Sequence, residues 1–285
     1  MKVGVFYPGN NNEHLNVLTA FATGIKRQGY EVEMIPLEKY KPVDMAVVFG
    51  VKKKNMPISY ARGHVIDEQN KHKLPVIVLE KGYVNRHAYY AAGYGGLNGH
   101  AYFVNEGSPS DRWKALKTPL QNYKMNPNGH YLVCGQVPTD ASVQHIDINQ
   151  WTAEKCKYLQ NNYDNKVVFR PHPLAQDRTL IIPGVTNSTG ALANDLEGCK
   201  AVITFNSNAG VEALIAGIPV YAEDRMSMVY NVAMNQINMV KAPIISNRTQ
   251  WSYDLAYAQW TVKEMSHGMP WLHLIRKLNA NKEKR

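Results

Sequence analysis

Brief apolar runs alternate with longer amphipathic stretches from the first residue onward. Residues 2–7 (KVGVFY), 30–35 (YEVEMI), 45–49 (MAVVF) and 76–79 (VIVL) are short and rich in β-branched or aliphatic side chains. The last two are apolar at every position, and a strand apolar on both faces has to be covered on both faces. These segments therefore predict strands of a buried parallel sheet. Residues 13–28 carry apolar side chains at helical spacing and stop at Gly29, which predicts a helix with glycine at its C-terminal cap.

This alternation makes the first half a Rossmann-like α/β layer. From about 83 to 123 the pattern weakens. The stretch YYAAGYGGLNGHAYF (89–103) is rich in glycine and tyrosine without a helical period, and predicts loops facing a cleft. Residues 119–127, with a proline at each end, predict the inter-domain linker. A second alternation follows, with strands at 131–134, 166–169, 201–204 and 219–222 and helices near 152–161, 190–198 and 208–216. It predicts a second domain over 126–249 after a first over 1–125. Residues 249–278 predict two helices broken around Gly268 and Pro270.

A chain of 285 residues is long enough for two such cores. No apolar run approaches the roughly 18–20 residues of a membrane-spanning helix. The N-terminal MKVGVFYPG opens on a strand without the apolar core of a signal peptide, so a soluble cytoplasmic chain is expected. Cys134, Cys156 and Cys199 are odd in number and widely spaced, which suits reduced core thiols rather than a disulfide frame or a zinc site. The formal net charge is +9. Such a field gathers nucleic acid, a sugar nucleotide or an anionic polymer, or is simply solvated charge. Short basic clusters at Lys52, Lys53 and Lys54 and at Lys282, Lys284 and Arg285 read as ordinary loops or a frayed end.

Candidate chemistry concentrates at the predicted strand ends. In residues 201–224 (AVITFNSNAGVEALIAGIPVYAED) a strand ending at Thr204 leads through Asn206, Ser207 and Asn208 into a helix that begins Ala209-Gly210. Unpaired backbone N–H groups there suit a phosphate, and the small residues let it approach. Glu212, one turn on, is placed to accept hydrogen bonds from ribose hydroxyls. The same residues also read as a plain cap at Ser207 or Asn208 and a first-turn acid. The turn follows a parallel strand, at the end where open α/β sheets bind ligands.

The strand at 166–169 delivers Arg170 and His172, each followed by a proline. Alternate residues of a stiffened, extended chain face the same way, and two cations there clamp a diphosphate and stabilise the charge that develops on it; a structural histidine is the plain alternative. The strand at 131–134 runs into Gly135, which permits a sharp turn, then Gln136 and Asp140, which reach a donor or a cleft unless Asp140 serves an Asx turn. In the first half, the strand at 76–79 delivers Glu80, followed by Lys81, Gly82 and Tyr83. A carboxylate there takes the proton of an attacking hydroxyl, or pairs with Lys81 or Arg86. Glu13, Asp67 and Asp111 are weaker candidates for the base. No Asp-x-Asp metal motif stands in a suitable place, and Asp147-Ile148-Asn149 is not one, so metal-independent chemistry is expected. Tyr89, Tyr90, Tyr94 and their glycine neighbours suit stacking on a flat acceptor or a tightly turned core loop.

The serine turn, Glu212 and the ending Gly217-Ile218-Pro219-Val220 resemble the donor-binding element of GT-B glycosyltransferases. Arg170-Pro171-His172-Pro173 resembles the His-Pro motif of bacterial polysialyltransferases and capsular polysaccharide glycosyltransferases, in which the histidine contacts the nucleotide phosphate. Gly135-Gln136-Val137 with Asp140-Ala141-Ser142 is similar to the same group. Glu80 and Gly82 match the ends of a Glu-Asp-Gly type motif that supplies the general base there, and Lys81 departs from its middle position. The resemblance covers about 130–225 and is thinner in the first half.

The resemblance implies an α/β GT-B fold of two Rossmann-like domains facing a cleft, with C-terminal helices (250–285) crossing back to the first. It implies a glycosyltransferase, a hexosyltransferase in the first instance, with Glu80 and His172 catalytic. Gly135, Gln136, Arg170, His172, Asn206, Ser207, Asn208 and Glu212 would hold a nucleotide sugar, UDP-glucose first, with no cofactor or metal required. Bacteriophage DNA-base glycosyltransferases share the fold. The short chain and its positive charge favour a hydroxymethylated pyrimidine in double-stranded DNA as acceptor, with Tyr94 supporting the flipped base. The alternatives are a capsular-type polysaccharide transferase, a UDP-sugar epimerase and a non-catalytic nucleotide- or DNA-binding module.

Overall fold

A computed structural model describes residues 1–9, 11–53, 57–178, 180–243 and 245–282. Lys54, Lys284 and Arg285 of the basic clusters lie outside the described residues. The chain divides into unit 1, Met1–Arg112 with the stretch from Tyr253 onward, and unit 2, Trp113–Ser252. Unit 1 begins with β1 (Lys2–Tyr7), α1 (Asn12–Arg27), β2 (Glu31–Pro36), β3 (Met45–Phe49), α2 (Pro57–Lys71), β4 (Val76–Lys81) and β5 (Tyr89–Tyr94), and α3 (Asp111–Ala115) carries the chain onward. Then come β6 (His130–Cys134), α4 (Ile148–Asn162), β7 (Val167–Arg170), β8 (Thr186–Asn187), α5 (Leu192–Leu196), β9 (Cys199–Thr204), α6 (Ala209–Ile215) and β10 (Val220–Ala222). After α7 (Thr249–Tyr257) the chain completes unit 1 with β11 (Gln259–Thr261), α8 (Val262–Ser266) and α9 (Met269–Lys282).

The unit 1 sheet has the order β11-β5-β4-β3-β1-β2. Strands β1 to β4 pair in parallel, while β5 runs antiparallel to both β4 and β11. Side chains alternate between two cores, as the pleat requires. Val3, Val5, Met45, Val47, Ile77 and Leu79 pack on one face with α1. Phe6, Ala46, Val48, Val76 and Val78 pack on the other with Val65 of α2. Asn11 starts α1 by accepting a 3.0 Å hydrogen bond from the His14 N–H, and Lys26 and Arg27 stand in its last turn. The capping box Thr261/Glu264 starts α8, and Glu264 also receives the Arg112 guanidinium at 2.6 Å.

The expectation of irregular loops around 89–103 fails at Tyr89–Tyr94, which is a strand. Its alanines and Gly93 carry little β signal, and pairing on both edges supplies what propensity lacks. A Cβ on Gly93 would stand 2.7 Å from the Phe103 ring, so the glycine serves packing. The C-terminal region also differs from two helices, since β11 stands between α7 and α8. The fully buried Gln259 hid that strand: its side chain accepts from the Tyr83 and Val84 N–H groups and donates to the Val84 carbonyl.

Unit 2 holds a wholly parallel sheet, β10-β9-β6-β7-β8. Tyr131, Val133, Phe169, Ala201 and Ile203 pack with Trp151, Cys156 and Leu159 of α4. The helix expected near 190–198 is only Leu192–Leu196. Residues 119–127 are bonded along unit 2: Gln121 and Lys124 donate N–H groups to the carbonyls of Ile215 and Gly217, and the Arg248 guanidinium lies 3.8 Å over the Tyr123 ring. All three cysteines are buried free thiols, and burial pushes Cys156 and Cys199 up to about 12. Among the described residues no helix is long and apolar enough to cross a membrane.

Helices α1 and α8 meet at Gly24, where an added Cβ would lie 2.0 Å from the Met265 carbonyl oxygen and 2.7 Å from the Gly268 nitrogen. Backbone cannot yield as a side chain does. Gly24→Ala is therefore expected to destabilise unit 1 by about 1–3 kcal/mol, as overpacking does. Urea denaturation measures it, and an unchanged midpoint would contradict this packing.

Candidate functional site

Each sheet is built outward from its first strand. In unit 2, β6 is central: β7 and β8 are added on one side, β9 and β10 on the other. The direction of addition reverses beside β6, and such a reversal opens a crevice at the carboxyl ends of the strands. Cys134 is in register with both Arg170 and Thr204, so β6, β7 and β9 end level. Two strand spacings separate Arg170 from Thr204, about 10 Å.

The loops after these ends hold most of the residues singled out in the sequence. Gln136 donates to the Asn206 side-chain oxygen at 2.7 Å and accepts from the Asn206 backbone N–H at 3.2 Å. The Asn206 amide also donates to the Ser142 carbonyl (3.0 Å) and to the Asp224 carboxylate (2.7 Å). Asn206 is 6% exposed, so this bracket satisfies an otherwise costly buried amide and locks the β6 and β9 loops together. Asp140 accepts from the Ser142 N–H at 2.9 Å and from its hydroxyl at 2.8 Å, the Asx turn weighed as one reading. Gly135 is required by Phe169, whose ring would stand 2.9 Å from a Cβ there.

At the start of α6, Ser207 Oγ accepts from the Ala209 N–H at 3.3 Å, and Thr204 Oγ1 accepts from the Ser207 N–H at 2.8 Å. Asn208 makes no side-chain cap bond to the helix and donates to exposed Glu212 at 3.2 Å. Arg170 is already engaged: its guanidinium meets Asp195 at 2.5 Å and the Gly190 carbonyl at 2.7 Å, and Ser188 donates to the same carboxylate at 2.6 Å. His172 Nδ1 accepts from the Leu174 N–H at 3.2 Å. Sequence reasoning missed Asp195, Ser188, Thr204 and Asp224, because each lies far along the chain or carries no distinctive spacing. The acidic pair Glu223-Asp224 directly after the predicted strand 219–222 was the usable signal for Asp224.

Unit 1 follows the same rule. Strand β1 is an interior strand, with β2 on one side and β3, β4, β5 and β11 on the other. A cavity of about 190 Å³ opens at that reversal, lined by Pro8 and Asn11 after β1, Gly50 and Lys53 after β3, Glu80 at the end of β4, His14 and Phe49, and Ser59 and Arg62 of α2. Of these, Glu80 was a sequence candidate for the chemistry. His14 stacks on Phe49 with ring centroids 3.9 Å apart. Burial, then the Arg62 charge, lowers its imidazole to about 4, so it is neutral at pH 7. Helix α2, which brings Ser59 and Arg62, was not recognised in the sequence; its apolar stripe is weak and Arg62 takes a buried position.

The pairing of Glu80 with the Lys81 ammonium, held open in the sequence, is not what forms. Lys81 Nζ pairs with Glu13, which also accepts from Tyr90 OH at 2.8 Å. Glu80 Oε1 instead accepts from the Lys81 backbone N–H at 2.9 Å. Gly82 has a packing role, since a Cβ would stand 2.7 Å from the Tyr89 carbonyl oxygen. Asp111 accepts from Tyr257 OH at 2.9 Å, and Asp67 is exposed on α2. The Tyr94 ring packs against the unit 1 core and its hydroxyl donates to the Leu274 carbonyl at 3.1 Å, so this tyrosine is a packing residue at the end of β5 rather than part of a loop. Among the described residues no cluster of three or more His, Cys, Asp or Glu is placed to hold a metal ion.

No protein-family model matches the chain, and no curated protein matches it in sequence. Solved structures do. The β-Kdo 2,7-transferase of Thermosulfurimonas dismutans KpsC aligns over 95% of this chain and 99% of its own, with TM-score 0.56 and 16% identity. The β-Kdo 2,4-transferase of the same KpsC aligns over 92% of each chain, with TM-score 0.58 and 13% identity. A UDP-GlcNAc 2-epimerase from Methanocaldococcus jannaschii aligns over 98% of this chain and 100% of its own, but with TM-score 0.32 and 10% identity, too remote to bear on the fold. The chain has the α/β fold of the GT-B glycosyltransferases, built from two Rossmann-like units with the C-terminal helices returned to the first.

Proposed function

We propose that the chain is a glycosyltransferase: unit 2 holds a nucleotide-sugar donor at the ends of β6, β7 and β9, and Glu80 of unit 1 is the general base for an acceptor hydroxyl. The observation that carries the reading is that both sequence-derived elements stand at strand-order reversals, Gln136, Arg170 and Asn206–Ser207 beside β6 and Glu80 in the cavity beside β1. In the reaction, the acceptor oxygen bonds to the anomeric carbon, the bond from that carbon to the phosphate oxygen breaks, and the nucleotide leaves with the electron pair. Glu80 takes the hydroxyl proton. His172 and the N–H groups around Ser207 meet the charge left on the diphosphate. Arg170 is partly neutralised by Asp195, so its charge serves the loop first and the donor second.

A saccharide hydroxyl is the acceptor this reading favours. The two KpsC structures are named as β-Kdo transferases, and each is matched over more than nine-tenths of its solved chain. A hydroxymethylated pyrimidine in DNA keeps only the support of the net charge of +9, and UDP-glucose stays as the first donor to try.

The test offers the full chain a panel of nucleotide sugars, with oligosaccharides, hydroxymethylated DNA or no acceptor, and reads added mass by mass spectrometry. A saccharide gain is expected. Modified nucleosides would move the acceptor to DNA, a converted donor without acceptor would indicate an epimerase, and a folded protein giving none of these would sink the proposal. Glu80→Gln is expected to lower transfer about 10²–10⁴-fold with donor affinity unchanged, measured by calorimetry beside initial rates. His172→Asn should weaken donor binding about tenfold or more, the worth of one hydrogen bond to a charged group. Arg170→Ala should instead lower unit 2 stability by about 1–3 kcal/mol, because the partly buried Asp195 loses its cation and keeps only the Ser188 hydroxyl; a thermal melt unchanged from wild type would refute that assignment.

A further inference from the structure

The unit 1 cavity contains a second charge that the proposed reaction has not used. Arg62 is 6% exposed, and its Nη1 donates to the Val51 carbonyl at 3.1 Å. Its Nε is buried without a hydrogen-bond partner. A guanidinium taken out of water is expensive to keep unless a negative charge stands near it. Gly50 shows where that charge is: a Cβ built on it would lie 3.0 Å from Arg62 Nη1 and 3.3 Å from Glu80 Oε2. With φ at +74°, Gly50 turns the chain after β3 and leaves the space between these two groups free of side chain.

We propose that Arg62 is the positioning residue for Glu80, holding its carboxylate ionised and aimed into the cavity from the α2 side. This rests on Glu80 being the base. The other groups around Glu80 are distributed over the packed elements. His14 of α1 is neutral, Lys53 follows β3, the Lys81 ammonium is turned to Glu13, and Tyr83 after β4 is a buried phenol pushed upward by burial and by Glu80 itself. Arg62 is the cation among them that is held inside the protein, where water screens it least. An opposite charge about 4–6 Å away lowers a carboxyl pKa by about one unit or more.

The experiment is a ¹³C NMR titration of the Glu80 side-chain carboxyl in the full chain, with Glu38 as internal control. Arg62→Met is expected to raise the Glu80 midpoint by about one pH unit, and Arg62→Lys to restore most of the wild-type value. Should Arg62→Met fail to fold, the unaltered protein still decides: the Arg62 Nε–H resonance should move with the Glu80 midpoint and stay flat in Glu80→Gln. A Glu80 midpoint unmoved in folded Arg62→Met, or an Arg62 resonance indifferent to it, overturns the proposal. Where transfer is measurable, the acid limb of kcat/KM shifts with the same midpoint, which packing loss alone would not do. Coupling seen by NMR in a protein that transfers no sugar would refute the base assignment while leaving the electrostatic pair in place.

Discussion

Every strand at the centre of these two sheets is apolar on both faces, and that constraint arranges the rest. Val47 and Val48 face opposite cores, as do Ile77 and Val78. Polar chemistry cannot be mounted on the faces of such a sheet without leaving groups unpaired. It is displaced to the strand ends, where backbone groups are no longer spent on the ladder and side chains reach solvent. The first strand of each unit sits in the interior of its sheet, so later strands go on both sides and two successive loops diverge at the carboxyl end. The candidate site residues follow from that geometry, in unit 2 around β6 and in unit 1 around β1.

Burial then sorts the polar residues near those ends by what they do. Asn206 and Gln136 satisfy one another, and Asp224 and Ser142 complete the set. Arg170 and Asp195 form a largely buried pair with Ser188 on the same carboxylate. These groups fix loop shape, and loop shape places His172, Ser207 and the N–H groups beside them. In unit 1 Gln259 performs the same service by bridging the turn after β4, which sets where Glu80 leaves the sheet. Glycines divide likewise: Gly82 and Gly135 are small because backbone or an aromatic ring presses on them, and Gly50 because two charged groups converge there.

The positions of β1, β3, β4, β6, β7, β9 and β10 were legible in the sequence to within one or two residues, because a buried parallel strand must be short, apolar and β-branched. Helices α1, α4 and α6 were legible from their spacing and from Gly29 and Gly217. Strands β5 and β11 were not, since alanine, glycine and a buried glutamine carry no strand signal and are held by their neighbours. Glu80, His172 and the Ser207 turn could be named because polar residues directly after a strand stand out against the run before them.

The amino-acid sequence by itself determined that there are two α/β layers, where their strands end, and which polar residues stand at those ends, because each of these is a local property of hydrophobic spacing. Only the tertiary structure decided which of those residues meet. That Lys81 serves Glu13 rather than Glu80, that Asp195 takes Arg170, and that Arg62 stands across Gly50 from Glu80 depend on strand order and on the approach of α2 to β3 and β4. Strand order is set by long-range pairing, and no spacing along one segment records it.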